Sequence, residues 1–474
     1  MPRGAKVTAA VWVVWSVAIV AYALAIINRT SFARLGSTAQ LHFGIEATLL
    51  SVLLVMQVAV YVVMQIPVGV LLDRFGATKV IVCGLFVMAC GQLLLAYAPQ
   101  VSLAVLARIL VGIGDAGLFI GALRLVADWF PLRVVPMVSQ FTGMLGALGQ
   151  VIAVIPLANL VHNTSWVLGF LVLALATFAG TVLAAFVLRD NVSSKTVVQQ
   201  LFGARSAQVK KTASGAETPQ LWDSPIGHIS PPTTAIPIVG PGGSGIFNAF
   251  KSLLRRPGVR LGYWVHFGTA GALHCYVLLW GNAFLTGGVG LDGTAAASLL
   301  TLTVLAAIGG GLVIGPLQAR YKRHRINFTV GYIVTLALVW FAVLVWPGGQ
   351  PPLWLLVVMS VVLAIGGPTC MIGFDIVRTH VHRNQIGMAS GIINTGSFTA
   401  ALGLLFGIGM LLDLQGAGTP ESYSWDAFRV AMSLQFVFWG LAVAGILYEF
   451  PKAKRALQRR LDRAKQSEYY GYDG

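Results

Sequence analysis

Along the chain, apolar positions gather into runs of some twenty residues or more, each broken by a short polar stretch containing Gly, Lys or Arg. A helix rises about 1.5 Å per residue, so about 20 apolar residues cross a hydrocarbon layer ~30 Å thick. The runs predict twelve membrane-spanning helices, at 9–35, 46–72, 78–98, 101–128, 134–160, 166–188, 259–283, 295–318, 327–346, 353–378, 386–412 and 427–449. A polar segment over 189–258 separates them six and six. It carries Lys210, Lys211, Pro231, Pro232, Pro237 and the run Pro241-Gly242-Gly243. Such a composition buries too little apolar surface to fold alone and reads as a mostly disordered linker. A short amphipathic surface helix is expected within it over 245–256. The expected organisation is an all-α polytopic membrane protein: a six-helix bundle over 1–188, the linker over 189–258, a second bundle over 259–450 and a basic tail over 451–474.

Composition narrows the class further. The 474 residues are 57% hydrophobic and 10% charged, with mean hydropathy +0.79. A soluble domain carries about 25% charged residues, so a solvated enzyme, a disordered chain and a disulfide scaffold are excluded. The net charge of +16 sits in short loops and the C-terminal tail. That is the positive-inside pattern, which places both termini in the cytoplasm and argues against nucleic acid as a partner. Cys83, Cys90, Cys275 and Cys370 all fall inside apolar runs, so no disulfide framework is implied. The first run, from Ala9, reads as a retained span rather than a cleaved signal. No nucleotide-binding glycine loop ends in Lys-Ser/Thr, no Cys/His spacing suits a metal, and no Ser/His/Asp set points to an enzyme.

The halves repeat. Gly69-x-Leu71-x-Asp73-Arg74 follows the second span and Gly315-x-Leu317-x-Ala319-Arg320 follows the eighth, 246 residues on. Arg133 and Arg383 close the fourth and tenth spans, 250 residues apart. Two related six-helix bundles imply a substrate site at their interface, near the bilayer midplane, alternately exposed by rocking. The loop Gly69-x-x-x-Asp73-Arg74-x-Gly76 resembles the signature loop of the major facilitator superfamily. It departs at Ala77 and Thr78, where consecutive basic residues are usual. In this loop Gly69 admits a neighbouring helix, Asp73 suits the positive N-terminus of a helix from the other half, and Arg74 suits a carboxylate. Gly69, Asp73, Arg74, Gly76 and Arg133 are thus candidates for a conformational switch, as are Asp375 and Arg378 at the inner end of span 10.

Charge inside the spans marks the chemistry. Span 4 reads Arg108-x-x-x-Gly112-x-Gly114-Asp115-Ala116 and ends in Trp129-Phe130-Pro131. Residues seven apart share a helix face, so Arg108 and Asp115 are expected on one side, about 10 Å apart in rise. Neither charge is tolerated by lipid, so both should face the interior. They form either a buried staple that titrates nothing or a proton site, Asp115, tuned by Arg108. Span 1 carries Tyr22 and then Asn28-Arg29-Thr30-Ser31. If the span reaches about residue 34, the Arg29 fork lies inside the membrane, suited to a carboxylate or phosphate. If it stops near Ile27, Arg29 snorkels to the outer surface. His266, His274, Tyr276 and Asn282 on span 7 either meet substrate or pack. Gln57, Gln65, Gln140, Gln150 and Asn394 either line a cavity or join helices. Glycines on spans 5 and 11 (Gly143, Gly146, Gly149; Gly387, Gly391, Gly396) suit sliding helix contacts.

These words together resemble the anion:cation symporter branch of the superfamily, related to nitrate and sugar-phosphate carriers. The resemblance implies that Arg29 clamps the substrate anion, Asp115 binds the coupling proton and Arg108 tunes it. Tyr22, Asn28, Gln57, His274 and Asn394 complete the expected substrate site. Asn28 stands where the branch usually keeps a carboxylate, which removes one protonation site. The function expected is secondary active transport of a small organic anion across the bacterial cytoplasmic membrane, by alternating access with proton symport. It needs no cofactor beyond the ion gradient and no metal, and the carrier is expected to be a monomer. The alternatives are a proton-coupled exporter of hydrophobic drugs or lipids, and a receptor that kept the carrier fold. Seven basic residues from Lys452 to Lys465 suggest a surface-lying helix on anionic lipids, each worth on the order of 1 kcal/mol.

Overall fold

A computed structural model describes residues 9–45, 47–131, 133–152, 156–191, 194–202, 244–382, 385–417 and 420–470. Most of the central linker, with Lys210 and the proline run, lies outside the described residues, as does Arg383. The first half contains α1 (Ala9–Arg34), α2 (Gly36–Phe43), α3 (Ala47–Phe75), α4 (Ala77–Ala96) and α5 (Val101–Asp115). It continues with α6 (Leu118–Trp129), α7 (Val135–Ile152), α8 (Ala158–Asn163) and α9 (Trp166–Val187). Two short helices, α10 (Val197–Phe202) and α11 (Ser244–Leu254), flank the undescribed part of the linker. The second half contains α12 (Pro257–Cys275), α13 (Gly281–Ala283), α14 (Gly293–Arg320) and α15 (Arg325–Leu344). It ends with α16 (Leu353–Ala364), α17 (Gly366–His380), α18 (Ile386–Leu414) and α19 (Trp425–Tyr470).

Ten helical segments among the described residues are long and apolar enough to cross a membrane, counting α5–α6 and α16–α17 as one each. The other two predicted spans coincide with α7 and α12, which pack among the ten: α7 against α1 and α14, α12 against α17, α18 and α19. Lipid-facing positions stay apolar, as hydrocarbon requires: Val63 is 70% exposed, Val313 66% and Phe406 76%. Local signals set several helix starts. Ser165 caps α9 by accepting from the Leu168 N–H at 3.2 Å. Asp292 caps α14 by accepting from Thr294 and Ala295, and Pro257 opens α12, where its missing N–H costs nothing.

Among the described residues, spans 4, 7 and 10 are interrupted. Span 4 breaks after Asp115, and the Gln65 amide donates to the Ala116 carbonyl at 3.3 Å, so the interrupted ladder still has a partner there. Span 10 breaks at Ile365, before Gly366-Gly367-Pro368. Span 7 passes into π-turns at Tyr276–Trp280 and Phe284–Gly288. The tail is helical: α19 carries the last span on through Pro451 to Tyr470.

Each half has its own core, around Leu85, Met88 and Trp129 in the first and around Trp340, Met359 and Phe428 in the second. A further cluster joins them, bringing Phe119 and Leu123 of α6 against Phe374, Met388 and Ile392. The halves meet most closely where α3 crosses α18. The Asp73 carboxylate accepts from the Gly387 and Met388 N–H groups, both at 2.8 Å, at the start of α18. This is the anion-on-helix-N-terminus contact expected from the loop. Arg124 of α6, not Arg74, holds the other side of Asp73 at 2.9 Å. Arg74 instead lies over the ring of Phe75, and Arg133 is exposed in the turn before α7.

At Gly76 the backbone takes φ +86°, a conformation that favours glycine, and turns the chain from α3 into α4. The Asp190 carboxylate, just beyond α9, packs against Gly76 and accepts from the Thr78 N–H at 2.9 Å. The nearby Trp129 indole donates to the Arg189 carbonyl at 2.9 Å.

Gly69 and Gly387 set how near the halves come. A Cβ on Gly69 would lie 2.7 Å from the Gly387 carbonyl oxygen and 2.7 Å from the Met388 Cα. Both are backbone atoms that cannot yield separately. Gly69→Val is therefore expected to leave the bundle folded but to exclude this closed contact. Spin labels at the inner ends of α3 and α18 should report a longer distance in the variant. An unchanged distance distribution would show that Gly69 does not set the approach.

Candidate functional site

The interior charges converge on a point between α1, α3 and α5. Arg29 is in α1, near the end of the helix, and Asp115 is the last residue of α5 before the break. The guanidinium grips the carboxylate with two bonds, Nε to Oδ2 at 2.6 Å and Nη2 to Oδ1 at 2.9 Å. The Asp115 side chain is 1% exposed and that of Arg29 18%. Arg29 therefore turns inward and does not snorkel. The same guanidinium lies over the ring of Tyr61, 4.5 Å from its centroid, an attraction strengthened by exclusion of water.

Arg108 is fully buried but does not pair with Asp115. The helix turns it toward α3 and α1, where it donates to Gln57 Oε1 and, at 3.4 Å, to the Arg29 carbonyl oxygen. Its guanidinium stands 4.7 Å from the centre of the Phe32 ring. Of the two readings of span 4, the staple within one helix is not formed; the carboxylate pairs with a guanidinium of another helix. Glycine makes room for this: a Cβ on Gly112 would lie 2.7 Å from the Gln57 carbonyl oxygen, and Gly114 abuts the Gly84 carbonyl. Two guanidinium groups and one carboxylate leave the cluster with an excess positive charge.

A cavity of about 10 Å³ adjoins the pair, lined by Arg29, Gln57, Val58, Tyr61, Asp115 and Phe398. That is about the space one water needs, so this cavity itself is too small for an organic anion. Phe398 comes from α18, so both halves reach the cavity. His274 stacks on Phe398 with ring centroids 4.7 Å apart. Asn394, one turn before Phe398, donates to the Tyr61 hydroxyl at 3.1 Å and to Gln65 Oε1 at 2.9 Å. Of the expected substrate residues, Arg29 and Gln57 line the cavity, while His274 and Asn394 stand just behind its far wall.

Two others lie elsewhere. Asn28 is turned into the first bundle, where its amide donates to the Leu24 carbonyl at 2.7 Å and to Thr177 Oγ1 at 2.9 Å. Neighbouring positions on a helix point about 100° apart, so Asn28 and Arg29 cannot both face the cavity. Tyr22 packs against Phe119, ring centroids 5.0 Å apart, and Gly146 abuts its ring. Farther along, Tyr276 belongs to the second core and Asn282 is exposed. The buried His266 meets Phe374 edge-on at 5.2 Å. The Gln150 side chain lies outside the described residues.

Tyr61, Phe398 and Arg124 were not anticipated. Tyr61 falls four residues from both Gln57 and Gln65, a face visible in the sequence. Arg124, with Asp128 four residues on, is a further charged position within span 4, itself a signal.

Inward of the cavity the halves are cross-tied. Gln140 of α7 donates to the Pro368 carbonyl at 2.5 Å and to Gln318 Oε1 at 3.4 Å. Asp375 forms ion pairs with Arg378 at 2.9 Å and Arg325 at 3.2 Å. Arg378 then donates across the interface to Ser139 Oγ at 3.3 Å. Asp375 and Arg378 therefore stand in a contact between the halves.

Residues 12–405 match the family model described as Major Facilitator Superfamily. Over 112 residues the chain is 37% identical to a probable galactarate/D-glucarate transporter of Pseudomonas putida, covering 22% of this chain and 25% of that protein. Over 160 residues it is 28% identical to a probable sulfoacetate transporter of Cupriavidus necator, covering 33% and 37%. The chain thus matches only a quarter to two fifths of these relatives' lengths. The fold is similar to that of the proton:xylose symporter XylE, solved with 6-bromo-6-deoxy-D-glucose, at TM-score 0.61 and 12% identity over 92% of this chain and 97% of that one. With the family match running through both helical halves, and the fold agreeing, the chain belongs to the Major Facilitator Superfamily.

Proposed function

We propose that the protein is a secondary transporter of small organic anions in the bacterial cytoplasmic membrane, working by proton symport. The observation that carries this reading is the bidentate Arg29–Asp115 pair at the wall of an interfacial cavity. A guanidinium fork already bound by a carboxylate cannot bind a substrate carboxylate equally well. Protonating Asp115 removes its competing charge and frees Arg29. Proton and anion therefore favour the same state through one shared group, and by linkage each strengthens the other's binding.

Charge balance supports the same reading. With Asp115 ionised, Arg29 and Arg108 leave one positive charge in excess; with Asp115 protonated they leave two. A dianion would then be fully balanced, which agrees with the sugar-diacid name of one relative. Arg108, bonded to Gln57 and outside the cavity wall, contributes field rather than contact.

Proteoliposome uptake of a sugar diacid tests the assignment. Arg29→Ala is expected to lose about 3 kcal/mol of substrate binding, roughly 100-fold in affinity. Asp115→Asn should retain substrate exchange between equal pools while losing accumulation driven by an inward proton gradient. Full gradient-driven accumulation by Asp115→Asn would refute the proton assignment, and unchanged affinity in Arg29→Ala would refute the clamp.

Arg108 gives a separate prediction. Gln57→Leu leaves its buried guanidinium without a side-chain acceptor, which should destabilise the fold by about 1–3 kcal/mol. Thermal unfolding in detergent should show this for Gln57→Leu and not for Gln57→Glu, which keeps an acceptor.

A further inference from the structure

A second cavity lies away from the transport site, at the end of the second half that the basic loops mark as cytoplasmic. It measures about 250 Å³ and is lined by Arg256, Pro257, Gly258, His380, His382, Ala456, Leu457 and Arg460. Three chain segments meet there: the end of the central linker entering α12, the end of α17, and the part of α19 beyond the last span. Side-chain bonds hold the walls together. Arg460 donates to the Thr379 carbonyl at 3.4 Å. His380 contacts the Ala453 carbonyl through Nε2 at 3.3 Å and the Ile376 carbonyl through Nδ1 at 2.8 Å. The His380 ring fits directly over Gly258, where any larger residue would collide with it.

The lining has two guanidinium groups, two imidazoles and no carboxylate. Arg260, one turn into α12, makes the contrast plain: Glu449 neutralises it with two bonds at 2.9 and 3.0 Å. Burial, and then the charge of Arg460, hold Arg256 below the usual guanidinium range. His382 is held below its usual range by burial, then by Arg460 and Arg256. Like charges gathered around a hollow repel one another, and an anion between them relieves that repulsion. The positive end of the α12 dipole adds to the attraction. Exposed Phe247 and Leu254 on the preceding α11 give this region an apolar edge, of the kind that suits a membrane surface.

We propose that this cavity binds a phosphate group at the cytoplasmic membrane edge, with Arg256 and Arg460 as its ligands. The phosphate is that of an anionic phospholipid headgroup or of free inorganic phosphate, which share the same chemistry. Once bound, it bridges the end of the linker to the tail helix. The assignment is independent of the transport reading, since none of its residues borders the Arg29 cavity.

The full-length protein in nanodiscs provides the test. Binding of phosphatidylglycerol against a phosphatidylcholine background should fall about tenfold or more in the Arg256→Gln/Arg460→Gln double variant. The Arg455→Gln/Arg459→Gln variant removes the same charge from exposed positions outside the cavity and should change binding far less. Ala456→Trp keeps every charge but fills the hollow, and should weaken binding as the first variant does. Inorganic phosphate added in detergent separates the sources: thermal stabilisation by phosphate alone, lost in the first variant, identifies the free anion, and stabilisation only by phosphatidylglycerol identifies the lipid. Equal losses in both double variants would reduce the effect to diffuse tail charge and overturn the site, as would unchanged binding in Ala456→Trp.

Discussion

Hydrocarbon does not solvate charge, and a helix bundle that places guanidinium groups between its helices must supply something to face each of them. Here one carboxylate serves Arg29, and an amide oxygen with an aromatic face serves Arg108. Breaking a buried pair leaves a bare charge that costs several kcal/mol. The cluster is consequently stable only when its positive excess is small or is met by something from outside. The glycines that bring α3, α4 and α5 together, the break after Asp115 and the ring of Tyr61 all serve this requirement. They allow side chains from three helices to reach one spot, and they keep water scarce enough for the attraction to remain strong.

The inner closure shows how the two halves share a plan without being copies. Asp128, which pairs with Arg124 in α6, and Asp375, which pairs with Arg378 in α17, stand 247 residues apart. That spacing nearly equals the offset of the repeated glycine loops, so each half keeps a carboxylate at the inner end of its fourth helix. The second half has Ala319 where the first has Asp73. Only one of the two crossings therefore uses a carboxylate on a helix N-terminus; the other relies on Arg378 reaching Ser139 and Gln140 reaching Pro368. Closure combines these polar contacts with the apolar cluster of Phe119, Leu123, Phe374, Met388 and Ile392.

Much of this was legible in the chain, for a physical reason. A membrane-spanning helix needs a long apolar run, and that requirement is written residue by residue, so even the unusual spans are found at their predicted positions. The loop glycine and aspartate were equally readable, because close approach and helix capping each demand a particular residue. What the chain did not disclose is which charge meets which. Within one helix, spacing brings Arg108 and Asp115 to one side, but the partner Asp115 takes lies 86 residues away on α1. Asn28 illustrates the same limit: adjacent to Arg29 in sequence, it faces Thr177 on a different side of the helix. The break after Asp115 was hidden because it depends on a neighbour, Gln65, that replaces what the helix gives up; the break at Ile365 is signalled by Gly366-Gly367-Pro368.

Asp190 stands where the chain leaves its first bundle, and it is moored to the turn that joins α3 to α4. The roughly seventy-residue connector is therefore not a slack rope tied at an idle corner. Its first knot is made on the very bend whose aspartate latches the two halves. Whatever displaces the first residues of the connector is therefore felt first at that bend, well away from the Arg29 cavity.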